Sequence, residues 1–268
     1  MGSGPGVRPQ VDLNCDMGEG FGAYRLSPDA ELLGYVTSAS IACGFHAGDP
    51  RTMDSTVAAA CAAGVAIGAH VSYPDLVGFG RRHMGLSREE LITDVLYQLG
   101  ALEAFCRRHG TRVVYVKAHG ALYNDLADDE VLAGALAEAL LSYSGGAGPC
   151  AVLTLSGSRS AEVLREAGVT VVEEAFVDRA YTSQGRLVPR SEPGAVIKDP
   201  LVAAERGRRL ALGEPIEDRT GRPLSLRAGS ICVHGDTPGA VELARALRAA
   251  LEGAGALVRP FVPEVLGA

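Results

Sequence analysis

The sequence predicts an α/β fold, a (β/α) barrel of seven or eight parallel strands. Three observations predict it. Short apolar runs alternate strictly with segments of helical length. The runs are apolar on both faces, as strands buried beneath helices are. Seven or eight such repeats fill roughly the 250 residues of one barrel. An open, doubly wound sheet shares the alternation and is the alternative.

The elements follow in order. Val11–Asn14 is the first strand, and Ser27-Pro28 opens a helix with an N-cap and a proline at the first helical position. The strand Ala39–Cys43 precedes an Ala-rich helix from Pro50 to Ala63 that stops at Gly64. Val65–His70 is the third strand. Ser87-Arg88-Glu89-Glu90 is a capping box whose helix runs to about His109, before Gly110. The strand Val113–Ala118, a helix over Asp128 to Tyr143 and the strand Ala151–Leu155 come next. A helix over Ser158 to Ala167 stops at Gly168, and Val169–Glu174 is the sixth strand. Asp199 to Leu212 is helical and stops at Gly213. After the strand Ser230–His234, Thr237-Pro238 opens a helix that ends near Gly253, and Ala256–Val258 is a weaker eighth strand. Ser72 to Gly85 and Asp178 to Lys198 break the alternation, and loops of that length in a compact domain are usually lids or partner surfaces. Residues 1–10 are expected to form a flexible N-terminal segment, and residues 11–268 a single barrel domain.

Composition excludes several classes. The formal net charge is −7 with no Lys/Arg run, so neither nucleic acid nor a membrane surface is an expected partner. No apolar stretch has transmembrane length and no signal peptide is present, which gives a cytoplasmic expectation. The cysteines at 15, 43, 61, 106, 150 and 232 form no C-x-x-C pair and are expected to be reduced, buried small hydrophobes. Only Lys117 and Lys198 are lysines, which makes a lysine at a strand end informative.

Strand ends carry the chemistry. His46, His70, His119 and His234 each fall where an apolar run meets a small-residue turn. Imidazoles beside carboxylates suit acid–base work or a metal. With period two, Asp12, Asn14 and Asp16 share one face, where they either meet a ligand or bond internally. Gly18-Glu19-Gly20-Phe21-Gly22 is a tight turn or an anion loop, and no Walker A motif exists. Lys117 and His119 share a face, where the lysine would orient a carboxylate or form a buried pair with Asp12 or Asp16. The pairs Arg81-Arg82 and Asp178-Arg179 offer guanidinium forks for carboxylate or phosphate. His234-Gly235-Asp236 adds an imidazole and a carboxylate before a helix, and His109 reads as a helix C-terminal cation.

In register, Val11–Glu19, Ala42–Asp49, Gly68–Asp75, Gly78–Arg82, Val116–Asn124, Ala175–Tyr181 and Cys232–Asp236 resemble the LamB/YcsF family, whose bacterial members serve as A subunits of 5-oxoprolinase. The resemblance covers Val11 to about Val258. It implies an irregular (β/α) barrel like those of glycoside hydrolases and polysaccharide deacetylases. It also implies ATP-dependent opening of 5-oxo-L-proline to L-glutamate with B and C subunits, which would handle the ATP. The expected catalytic residues are Asp12, Asp16, His46, His70, His119, His234 and Asp236. Asn14, Arg81, Lys117, Tyr123, Asp178 and Arg179 are expected to bind substrate, and Asp16, His46 and His70 would hold a divalent metal if one is used. A stand-alone metal-dependent amidase or deacetylase, and a non-catalytic small-molecule-binding component, are the alternatives.

Overall fold

The fold comes from a computed structural model that describes residues 8–262. In chain order the elements are β1 (Gln10–Met17), α1 (Asp29–Leu32), β2 (Ser38–Ala42), α2 (Pro50–Ala62), β3 (Ala66–Val71), α3 (Arg88–Arg108), β4 (Tyr115–Ala118), α4 (Gly120–Asp128), α5 (Glu130–Ala147), β5 (Ala151–Leu155), α6 (Arg159–Glu166), β6 (Val171–Phe176), α7 (Pro200–Ala211), β7 (Ile216–Glu217), β8 (Pro223–Leu224), β9 (Ser230–His234), α8 (Ala240–Gly253) and β10 (Leu257–Val258). β1, β2, β3, β4, β5, β6 and β9 pair in that order, all parallel, and β9 pairs back onto β1. A barrel of seven strands is therefore closed, which removes the open-sheet alternative. β10 pairs with the first two residues of β1, Gln10 and Val11, outside the closed ring.

Period two divides each strand between two cores. On β1, Leu13, Cys15 and Met17 are fully buried in the large apolar layer beneath the helices. Asp12, Asn14 and Asp16 point into the barrel, where they bond to residues of other strands. The amino end of the barrel is filled by Val114, Tyr115, Ala151 and Leu153, with Phe261 and Val262 packed against them. Phe261 meets Tyr115 edge to face, with ring centroids 5.2 Å apart.

Tyr115 fits because Gly68 faces it on β3. A Cβ at position 68 would sit deep inside contact distance of the Tyr115 ring, which is fully buried and has no room to retreat. Gly68→Ala is therefore expected to destabilise the protein by at least about 1–3 kcal/mol, the cost of overpacking a filled core. Urea unfolding measures this, and an unchanged midpoint would show that the barrel floor yields.

Several element boundaries differ from the sequence reading. Pro28 is the N-cap of α1, not its first helical residue, and α1 is a single turn. Gly120–Asp128 is a separate helix, and Asp129 rather than Asp128 caps the next one by accepting from Val131 N and Leu132 N. Gly239 adopts φ 83°, so the last helix begins at Ala240, after Thr237-Pro238. β7 and β8 form a small antiparallel hairpin that has no apolar run to announce it. Gln10 lies in β1 and Pro9 O accepts from Leu257 N, so the end of the supposed flexible segment is structured. Residues 1–7 lie outside the described residues. The capping box at Ser87 and Glu90 is present. His109 closes that helix, with Nε2 2.8 Å from Asp54 Oδ1. All six cysteines are free, and all but Cys61 are buried. Among the described residues, no helix is long and apolar enough to cross a membrane.

Candidate active site

The carboxyl ends of the strands open into a cavity of about 580 Å³. Its wall includes Asp16 from β1, His70 from β3, Lys117 and His119 from β4 and its turn, Phe176 from β6 and His234 from β9. The loop after β3 contributes Arg81, and the loop after β6 contributes Arg179 and Arg190. Glu19, Tyr123 and Asp236 complete its polar lining. The sequence-predicted residues thus converge, with exceptions that depth along the strand explains.

Asp12 and Asn14 lie below the cavity, not on its rim, and their expected catalytic and substrate-binding roles are corrected. Asp12 Oδ1 accepts from Thr37 Oγ1 and Ser38 Oγ, each at 2.6 Å, and Oδ2 accepts from Ser230 Oγ. Asn14 Nδ2 donates to Ser230 Oγ at 2.7 Å and to Glu174 Oε2 at 3.2 Å. These are the internal bonds that close the barrel. Burial pushes the Asp12 carboxyl up to about 6, against the pull of its three hydroxyl donors. A raised folded-state value means that its contribution to stability is full below about pH 4 and is lost as pH rises through 6. The loss amounts to about 3 kcal/mol. Asp12→Asn is expected to flatten the fall in stability between pH 4 and pH 6 and to leave turnover near wild type. Urea unfolding across that range, with a turnover assay, checks both, and a loss of turnover as large as that of a cavity-wall variant would return Asp12 to the chemistry.

Lys117 is the hub above this layer. Nζ donates to Asp16 Oδ1 at 2.9 Å, Asn14 Oδ1 at 3.1 Å and Cys232 Sγ at 3.1 Å, and lies 3.3 Å from Glu174 Oε2. Its three N–H groups are all directed at the protein, so it has no donor left for substrate; the expectation of a substrate contact is corrected to a buried ion pair. Its partners are Asp16 and Glu174, not Asp12. Burial alone would raise the Asp16 carboxyl, but the charges of His70 and Lys117 outweigh it and hold Asp16 well below the ordinary carboxylate range. Asp16 is therefore ionised on the cavity floor.

The histidines are oriented from behind. His70 Nδ1 faces the Lys117 carbonyl at 3.1 Å, and a carbonyl only accepts, so Nε2 faces the site. That Nε2 lies 3.3 Å from Asp16 Oδ2 and 2.9 Å from His119 Nδ1. His119 Nε2 donates to the Phe79 carbonyl at 2.9 Å, which leaves Nδ1 3.3 Å from Glu19 Oε1. His46 Nε2 is 3.1 Å from the same Glu19 oxygen, and its ring stacks on His119 at 3.8 Å and 7°. His46 does not line the cavity. Burial, the largest effect on each ring, lowers His46 and His119 well below the ordinary imidazole value and keeps them neutral. Burial also raises Glu19 towards neutrality, against the pull of His119 and His70. Phe79, at φ 54°, is the one described non-glycine residue with positive φ, so this loop carries backbone strain where it holds His119.

Glu19 was not among the expected site residues. The signal for it was its place in the glycine run after β1, where glycine conformations free the backbone to turn a carboxylate inward. Glu19, His46, His70 and His119 bring one donor atom each within 4.8 Å of one another; Asp16 instead groups with Cys232 and His234. Of the expected metal set of Asp16, His46 and His70, the two histidines fall in the first group and Asp16 in the second. Of that first group, Glu19, His70 and His119 line the cavity and would be the ones open to an ion there.

On the opposite wall, His234 Nδ1 lies 2.7 Å from Asp178 Oδ2, so Asp178, and not Asp236, orients this imidazole. Arg179 Nη2 donates to the Val188 carbonyl at 2.6 Å. Arg179 Nε, Tyr123 Oη and Asp178 Oδ1 are buried without a hydrogen-bond partner among the described residues. Of these, Arg179 and Tyr123 line the cavity, where such groups can bond a polar ligand. Asp236 faces Arg81 and Arg190 across the mouth. His83 also reaches the lining and pairs with Asp125 at 2.6 Å, a place the sequence did not assign to it.

Residues 11–265 match the LamB/YcsF family. The chain belongs to that family. A Streptomyces avermitilis protein, named as the A subunit of 5-oxoprolinase, is 53% identical over 251 residues, which cover 94% of this chain and 99% of the relative. A Pseudomonas syringae relative, named as the third A subunit of 5-oxoprolinase, is 51% identical over 94% of this chain and 97% of its own length. Among solved structures, the lactam utilization protein of Thermus thermophilus superposes with a TM-score of 0.87 at 46% identity, covering 94% of this chain and all of that one.

Proposed function

We propose that this chain is the A subunit of a cytoplasmic, ATP-dependent 5-oxoprolinase that opens 5-oxo-L-proline to L-glutamate with B and C partner subunits. Two facts together carry the reading. Relatives matched over nearly their whole length bear that name. The cavity floor holds an ionised carboxylate, Asp16, between Lys117 and His70.

Amide resonance makes a lactam carbonyl a poor electrophile, and transfer of a phosphoryl group from ATP to the lactam oxygen removes that protection. The only lysines are Lys117 and Lys198, and neither follows a glycine run, which fits a division in which the partners supply the ATP-handling parts. One water adds to the activated carbon. The ring C–N bond then breaks as nitrogen takes a proton, which leaves an acyl phosphate. A second water hydrolyses this to glutamate and inorganic phosphate. Glu19, raised by burial towards working pH, accepts the proton of the attacking water. Asp16 fixes Lys117 and His70 around it. His234, backed by Asp178, delivers the proton to the ring nitrogen. The free Nε of Arg179 and the hydroxyl of Tyr123 bind the substrate's carboxylate and carbonyl ends.

One observation favours a second reading, a metal-dependent amidase that needs no partner. In it, Glu19, His70 and His119 would hold a divalent ion, which would supply Lewis-acid polarisation, and Asp16 would be left as the base. Glutamate release by the co-purified complex with and without ATP, together with metal analysis of the chain, separates the two. ATP-dependent release only in the presence of the partners supports the first. Release by the metal-loaded chain alone, without ATP, replaces it with the second.

A further inference from the structure

The mouth of the cavity has a charge pattern that the lactam alone does not explain. Arg81 reaches it from the loop after β3 and Arg190 from the loop after β6, and both point at one oxygen of Asp236. Arg81 Nη2 is 3.1 Å and Arg190 Nη1 3.4 Å from Asp236 Oδ2. Among the described residues neither arginine makes another side-chain hydrogen bond, and Asp236 Oδ1 is buried without a partner. A closing ion pair commonly matches one guanidinium fork to both oxygens of one carboxylate. Here two guanidinium groups share a single oxygen, so positive charge and donors are in excess.

The excess extends inward. Lys117 is matched by Asp16 and Glu174, and Arg186 by Asp128, which leaves Arg81, Arg179 and Arg190 on the lining against Asp236 and Glu19, in a chain whose net charge is −7. Arg81 stands over the Phe79 ring at 4.9 Å, and that ring meets His119 at 5.1 Å, so the arginine is one ring away from the histidine cluster. The cavity of about 580 Å³ lies within the range that holds drug-sized ligands, and a five-membered lactam with one carboxylate fills a fraction of it.

We infer that Arg81 and Arg190 form a phosphoryl-binding subsite, with Asp236 as the resident counter-anion that the phosphoryl group displaces. The inference rests on the function proposed above, in which the lactam is phosphorylated before water adds, and adds to it the place in this chain that holds the phosphoryl group. A phosphoryl group reaches the subsite from one of two sources, the activated lactam or the terminal phosphate of a nucleotide.

Calorimetric titration of the purified full-length chain with inorganic phosphate, and separately with a non-hydrolysable ATP analogue, tests this. Wild type is expected to bind phosphate saturably. Arg190→Gln should weaken binding by at least about tenfold, the loss of one charge-assisted hydrogen bond. Asp236→Asn should tighten it, which keeps the test decisive if the arginine variant folds poorly. Absence of saturable phosphate binding, or an Asp236→Asn affinity equal to or below that of wild type, overturns the subsite. An ATP analogue that binds more tightly than phosphate and also depends on Arg190 overturns the activated lactam as the source. These measurements do not require glutamate release. Arg190-dependent phosphate binding beside an inactive complex would sink the proposed function alone, and an active complex with no phosphate binding would sink the subsite alone.

Discussion

Glu19→Gln is expected to lower glutamate release by the assembled complex by about 10²–10⁴-fold, the contribution of a positioned general base. The substitution is nearly isosteric. The glutamine oxygen still accepts from His46 Nε2, which sits 3.1 Å from Glu19 Oε1, so the fold and the histidine stack should persist. The fall should therefore lie in kcat, with little change in KM or in the unfolding midpoint. A variant with more than about a tenth of wild-type turnover would remove Glu19 from proton transfer, since that is less than the smallest effect of such a group.

The second large effect is on stability. Lys117→Met leaves Asp16 and Glu174 without their shared cation at sites that are 7% and 0% exposed. Removing one partner of a buried ion pair costs about 3–5 kcal/mol, because the charge left behind has neither water nor a counter-ion. Urea unfolding should show a loss of that size, well beyond the removal of an exposed pair. A loss below about 1 kcal/mol would mean that water reaches the barrel interior and screens these carboxylates.

The sequence exposed the barrel because parallel strands buried on both sides leave unbroken apolar runs, and all seven barrel strands lie on such runs. It exposed the site because chemistry gathers where those runs end, so Asp16, His70, Lys117, His119 and His234 meet in one cavity. It could not rank Asp12 against Asp16. Alternation sets the face of a strand and not the depth, and depth separates a sealed carboxylate from one on the cavity floor. Glu174 escaped notice for a related reason, since a charged residue at the end of an apolar run resembles a strand terminus. Arg190 lies in an irregular loop whose path depends on contacts distant in sequence. Helix α4 was hidden by Gly120, which has φ 59° and packs against the Gly80 carbonyl, so that the start of the helix resembles a turn.

With Phe261 and Val262 packed beneath Tyr115 and Leu153, the barrel is a cul-de-sac. Under the function proposed above, lactam, water, glutamate and phosphate would all pass the Arg81–Asp236–Arg190 bridge at the carboxyl end of the strands. Product would then have to depart before fresh reactant arrives, since among the described residues the amino end is filled and the two cannot exchange in file. A partner subunit that covered that entrance would have to lift once per round, and one that stayed clamped would arrest the proposed cycle after a single turnover.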